Sequence, residues 1–182
     1  MSRKYKFHNQ SSPYFVTFSV INWIDVFIRP NYQEILLSSF RFCQNKKGLI
    51  LYAWCIMPSH VHLIIGTKKQ PMQNILRDFK SFTSRKLKEE IASYPKESRK
   101  EWMTWMMKRA GLKNGNNHNW QFWQQHNHPI ELTSGNMIHQ KLEYLHFNPV
   151  KAGFVKHPKH WKYSSADDYY GGKGILDIEI IY

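Results

Sequence analysis

Residues 54–66, Trp54-Cys-Ile-Met-Pro-Ser-His60-Val61-His62-Leu-Ile-Ile-Gly66, set two imidazoles into an otherwise apolar run. Side chains in a strand alternate between its faces, so His60 and His62 point one way and Val61 the other. Two such nitrogens on one rigid element make half of a metal site. Pro58-Ser59 is turn chemistry and places the pair at the start of a new strand. Leu49 to Ile56 is the apolar run before that turn, so the two runs predict a hairpin with the histidines on its second strand.

Outward from this hairpin the chain alternates strands and helices. Tyr14 to Trp23 (YFVTFSVINW), rich in aromatic and β-branched residues, predicts a first strand. Pro30 suits a first helical turn, and Ile35, Leu36, Phe40 and Cys43 recur at helical spacing until the basic Lys46-Lys47 and the stop at Gly48. Beyond the hairpin, Pro71 opens a helix with an apolar stripe of Met72, Ile75, Leu76, Phe79, Thr83 and Leu87. Trp120 to Leu132 predicts another strand, and Asn136 to Asn148 a helix packed through Ile138, Leu142 and Leu145. The order β-α-β-β-α-β is ferredoxin-like, an α+β fold with helices on one face of the sheet and one additional C-terminal helix. Residues 1–182 read as one domain, with a helical basic insertion at 94–119 and a tail at 156–182.

The formal charge of +13 on 182 residues favours a polyanion, with nucleic acid the first expectation. Between Lys68 and Lys113 stand thirteen basic and five acidic residues, so most of the excess lies in one quarter of the chain. Cations interleaved with flat rings are what single-stranded nucleic acid needs, for its phosphates and for its stacked bases. Arg77, Lys80, Arg85, Arg99, Lys100, Trp102, Trp105, Lys108, Arg109 and, beyond them, Lys151 are the candidate DNA contacts. From Asp167 onward the tail carries Asp167, Asp168, Asp177 and Glu179 against one lysine, Lys173, and its acids are expected to lie in the basic cleft and compete with DNA. No apolar run approaches a membrane span and the start leads into no signal-peptide core, which predicts a cytoplasmic protein without a membrane partner. Cys43 and Cys55 have no paired spacing and read as ordinary buried thiols.

On the last predicted helix, Tyr144 lies about 120° from the centre of the core stripe at 100° per residue, and Asn148 follows one turn later on nearly the same face. Pro149 disfavours helical geometry at Asn148, which puts that amide at the helix end. MPSHVHLII on a strand, followed some eighty residues later by YLHFNPVKAGFV, resembles the single-tyrosine His-hydrophobic-His transposases of bacterial insertion sequences, most closely the REP-associated tyrosine transposase branch. The resemblance covers most of the chain and implies that His60, His62 and Asn148 hold a divalent metal while Tyr144 attacks DNA. Ser59 stands where the pattern commonly has asparagine, a position that is not a ligand. The insertion matches the pattern poorly, so no role is carried onto it. Relatives include dimers that exchange the tyrosine helix and monomers, and Gly135 could serve as hinge for either.

Two imidazoles and an amide oxygen leave open positions on a divalent ion, and the mixed set suits Mn²⁺ or Mg²⁺. The expected function is metal-dependent nicking and strand transfer of single-stranded, hairpin-forming DNA through a 5′-phosphotyrosine at Tyr144. The rivals are a non-catalytic DNA-hairpin-binding protein and an RNA-binding module on the same sheet. A second pair, His126-Asn-His128, is flanked by polar residues and reads as a strand-edge or DNA-contacting element.

Overall fold

Strands β1 (Tyr14–Ser19), β2 (Leu49–Ile56), β3 (His60–Thr67) and β4 (Ile130–Glu131) form one antiparallel sheet in the order β2-β3-β1-β4. That is the ferredoxin-like order. The computed structural model describes residues 7–115, 119–125 and 127–182. Helices α1 (Pro30–Phe42) and α2 (Met72–Ser93) cover one face, where Tyr14, Val16, Phe18, Leu51, Trp54, Leu63 and Ile65 meet Leu36, Phe40, Ile75 and Phe79 in the main core. The expected α2 stripe is buried throughout, from Met72 to Leu87. α1 ends in a wide turn, Cys43–Lys47, stopped by Gly48 at φ 77°, where a side chain would be strained.

The insertion forms α3 (Lys100–Leu112), which buries Met103 and Met107 in the main core and leaves Trp102 and Trp105 half exposed. Gly111 lets α3 approach the backbone of Trp120, since a Cβ there would lie 2.2 Å from its nitrogen. The opposite face of the sheet carries a smaller core of Phe15, Ala53, Cys55, Met57 and Ile64, and α4 (Gly135–Lys151) packs on it through Leu142 and Leu145. Alternation therefore divides β1 cleanly: Val16 and Phe18 face α1 and α2, whereas Phe15 and Thr17 face α4.

Four expectations change. The first strand ends at Ser19, because the chain turns into a 3-10 turn at Ile21–Trp23. The strand expected over 120–132 is regular only at Ile130–Glu131. Its upstream part still follows β1, through Val20 with Trp123 and the Thr17 N–H to the Asn127 carbonyl, but the register slips twice on the way. Pro129 lacks an N–H and His128 has a φ of 41°, both incompatible with a continuous ladder. Helix α4 runs through Pro149 to Lys151, so Asn148 lies inside its last turn rather than at its end.

The fourth concerns the acidic tail, which among the described residues meets the basic stretch only through Lys68 at its start and packs on the sheet instead. Leu176 is buried in the main core, the Glu179 N–H donates to the Leu51 carbonyl, and Glu179 pairs with Lys68. Together with Tyr163 to Ser165, which bond to Trp54 and Ile56, the tail covers the outer edge of β2. A covered edge cannot recruit a foreign strand. Among the described residues no helix is long and apolar enough to cross a membrane.

Candidate metal and nucleophile site

The hairpin closes with Met57 and His60 hydrogen-bonded across Pro58-Ser59, and the Pro58 and Ser59 carbonyls accept from Phe27 and Val20. This pins the turn and fixes where His60 begins. In the β1/β3 register Thr17 lies opposite His62 and Ser19 opposite His60. The Thr17 hydroxyl sits 2.8 Å from His62 Nδ1, and the Ser59 hydroxyl 3.2 Å from His60 Nδ1. With Nδ1–H donating to Thr17, His62 keeps its Nε2 lone pair, which accepts from the Asn148 amide at 3.2 Å. Turning that amide over would present its oxygen to the same point.

The two imidazoles lie 4.7 Å apart between ring centroids, edge to face. Burial pushes His60 down to about 4, with the Asn148 amide partly offsetting it. Burial likewise pushes His62 down to about 3, helped by His60 and Lys141. Both rings are therefore neutral at physiological pH, the state in which imidazole binds a metal. Among the described residues no cluster of three histidine, cysteine or acidic side chains forms, so the third polar group here is Asn148. The donor set, two neutral nitrogens and an invertible amide with the far ring nitrogens already oriented, fits a divalent ion that completes its shell with water and substrate oxygens.

Tyr144 stands one turn before Asn148 on α4. Its ring is edge-on to His62 at 5.2 Å and to Phe15 at 5.9 Å, yet the residue stays 43% exposed, so the hydroxyl is open to a large substrate. Phe15 stacks on His62 at 5.6 Å and forms the floor. Lys141, a turn earlier, holds its ammonium 5.0 Å from the Phe15 ring centre and 5.7 Å from that of Tyr144. Trp23 closes the other side, edge-on to His60 at 5.1 Å. Sequence reasoning brings His60, His62, Tyr144 and Asn148 together but misses Thr17, Ser59, Lys141 and Trp23. Lys141 is detectable as the basic residue at i−3 from the tyrosine; Thr17 depends on a register that the sequence does not spell out.

The candidate DNA contacts divide. Arg77, Arg85, Lys108, Arg109 and Lys151 are exposed, as are Trp102 and Trp105, and Lys100 is partly so. The Arg109 guanidinium lies over the Trp105 ring at 5.1 Å. Two others are half-buried and already engaged within the protein. Lys80 donates to the Gln124 carbonyl and the Asn127 side chain, and burial lowers its pKa to about 8. Arg99 bonds the buried Glu97 and the Asp25 carbonyl. His126 lies outside the described residues, while the Asn127 carbonyl accepts from the Thr17 N–H at the edge of β1.

Comparisons with known proteins agree with this architecture. The family described as "Transposase IS200 like" matches residues 11–110, a span that includes the hairpin histidines. A Haemophilus influenzae protein provisionally named REP-associated tyrosine transposase is 30% identical over 117 residues, 62% of this chain. The aligned part spans 56% of that protein's length. A solved structure of a REP-associated tyrosine transposase bound to a REP hairpin superposes with a TM-score of 0.64 at 18% identity, covering 100% of this chain and 94% of that one. That likeness concerns the fold.

Proposed function

The chain belongs to the IS200-like transposase family, and on that premise we propose that it nicks and rejoins single-stranded, hairpin-forming DNA through a covalent 5′-phosphotyrosine at Tyr144. The observation that carries this reading is the convergence of an exposed tyrosine with two neutral, oriented imidazoles and an amide, on a surface open to a polymer. His60, His62 and Asn148 would hold a divalent ion, Mg²⁺ or Mn²⁺. When bound, such an ion polarises the scissile phosphate and draws charge off its oxygens.

The chain's own groups supply the rest. Tyrosine is a weak nucleophile at neutral pH, ionising near 10 in water. The Lys141 ammonium, 5.7 Å from the Tyr144 ring centre, is placed to attract the phosphate backbone to the hydroxyl, and the Tyr144 proton leaves to solvent as the new bond forms. The phenolate oxygen bonds to phosphorus and the 3′ oxygen departs, taking a proton to become a hydroxyl. One phosphodiester replaces another, so the bond energy is kept for rejoining. Phe15, stacked on His62 and edge-on to Tyr144, holds both in place, which is the positioning this reaction needs.

A labelled stem-loop with unpaired flanks, incubated with Mn²⁺, is expected to give a protein–DNA adduct that survives denaturant, with label only on the 5′-phosphate side of the cut. Tyr144→Phe keeps the ring and its packing and is expected to abolish the adduct with DNA affinity nearly unchanged. Replacing both His60 and His62 with Ala is expected to abolish it as well. An adduct that persists in Tyr144→Phe would overturn the assignment.

A further inference from the structure

Between the Ile21–Trp23 turn and α3 lies a cavity of about 700 Å³, within the range of roughly 300–1,000 Å³ typical of sites for nucleotide-sized ligands. Its polar lining comes from Asn22, Arg109, Lys113, Gln121, Gln124 and Gln125. No described acidic side chain pairs with Arg109 or Lys113. The carboxamides are held from behind. Gln121 donates to the Trp123 carbonyl and accepts from Asn114, and the Gln124 side-chain amide donates to the Val20 carbonyl. At the rim, Asn22 and Gln125 are exposed.

A strained dipeptide links the cavity to the candidate site, with Asn22 in the cavity wall and Trp23 against His60. Asn22 and Trp23 have φ of 53° and 55°, the left-handed region that costs a non-glycine residue about 1–2 kcal/mol. Hydrogen bonds from Ile21 to the Phe122 carbonyl and from Trp23 to the Val20 carbonyl hold the turn in that form. The conformation sends Asn22 to the cavity and the Trp23 ring to His60, where it remains 56% exposed. On the far side Arg109 covers Trp105. An exposed ring, then carboxamides with both donors and acceptors, then cations without carboxylate partners, make a sequence suited to a base face, base edges and phosphates in turn.

We propose that this groove holds the unpaired DNA strand adjoining the cleaved phosphodiester and discriminates its bases through the Asn22 and Gln125 amides. The inference rests on the reading of the protein as a single-strand transferase. The insertion thereby acquires a role, with α3 as the outer wall of the strand's path.

The test begins with selection of full-length protein against stem-loops whose stem, loop and unpaired flanks are randomised, followed by affinity measurements on a selected clone with and without its flanks. Asn22→Gly suits the positive φ and removes the amide, and Gln125→Ala removes the second. The double variant is expected to narrow the flank's contribution to affinity about ten-fold, to flatten the flank consensus on reselection, and to bind the bare stem-loop as the wild type does. An iodouracil placed in the flank is expected to crosslink to peptides containing Trp23 or Arg109. If the flank effect and consensus survive in the double variant, or the crosslinks fall elsewhere, the groove is not the strand's path. If the wild type selects stem-loops and forms the Tyr144 adduct while these results fail, only the groove proposal falls; if it selects no stem-loop, the reading beneath falls first.

Discussion

Thr17 decides what His62 can do. Its hydroxyl lies 2.8 Å from Nδ1, and the tautomer that donates to it leaves Nε2 unprotonated toward Asn148. Thr17→Val keeps the branched shape and removes the oxygen, so the ring loses both its preferred tautomer and its orientation. Removing such a partner from a metal-binding histidine usually lowers metal affinity about 10–100-fold. Titration of Thr17→Val with Mn²⁺ is expected to show a loss in that range with the fold retained; an unchanged affinity would mean that Thr17 does not orient the ligand. The histidines themselves are legible because strand alternation needs only sequence spacing. Thr17 is not, because cross-strand partners follow from register, and register emerges from the whole sheet. Asn148 is legible in direction but not in depth: the rule that proline ends a helix one residue early fails where α4 continues through Pro149.

Among the elements, α3 depends on a charge that the sequence presents as one of many. Glu97, just before it, is fully buried between Arg29 and Arg99 and also accepts from the Tyr32 hydroxyl. Burial raises its pKa, but hydrogen bonds from Arg99 and Arg29 outweigh that and hold it at about 2. This cluster ties the start of α3 to the start of α1. Glu97→Gln would leave two guanidiniums facing a neutral amide, and because those arginines are about a quarter exposed the cost is set below that of a fully buried pair, at about 2 kcal/mol. Urea unfolding is expected to show that loss, with proteolysis appearing first between Tyr94 and Leu112; a variant as stable as the wild type would show the cluster to be dispensable. Counting charges along the sequence treats Arg99 and Lys80 as surface cations. Their engagement is a tertiary fact, created when Glu97 meets Arg99 and when Gln124 and Asn127 meet Lys80. The same segment defeats strand prediction, since its pairing with β1 is real but broken by bulges that no periodicity reports.

At the scale of the molecule, the high positive charge would suggest stability governed by repulsion among lysines and arginines, but those groups stay charged across the whole range from neutral to mildly acidic pH. What changes in that range is histidine. Burial holds His146, bonded to Ser165, down at about 4, alongside His60 at about 4 and His62 at about 3. In the unfolded chain such groups titrate near 6.5. Between about 6.5 and 4 the unfolded state therefore binds protons that the folded state refuses, so stability is full above that window and falls as pH drops through it, by about 1.4 kcal/mol per pH unit for each proton taken up. Glu97 acts lower down: its folded pKa lies below the unfolded value near 4.5, so its contribution stands above that pH and is lost toward 2. Metal-free protein in chelator, unfolded with urea from pH 7.5 to 4.5, is expected to show a midpoint that is level at first and then declines steadily below about 6.5. His146→Gln removes one of the three groups, and its decline is expected to be shallower by up to one proton's slope. A wild-type midpoint that stays flat down to pH 5 would show that these rings are not held neutral, and with that the ready-made metal site would lose its electrostatic basis.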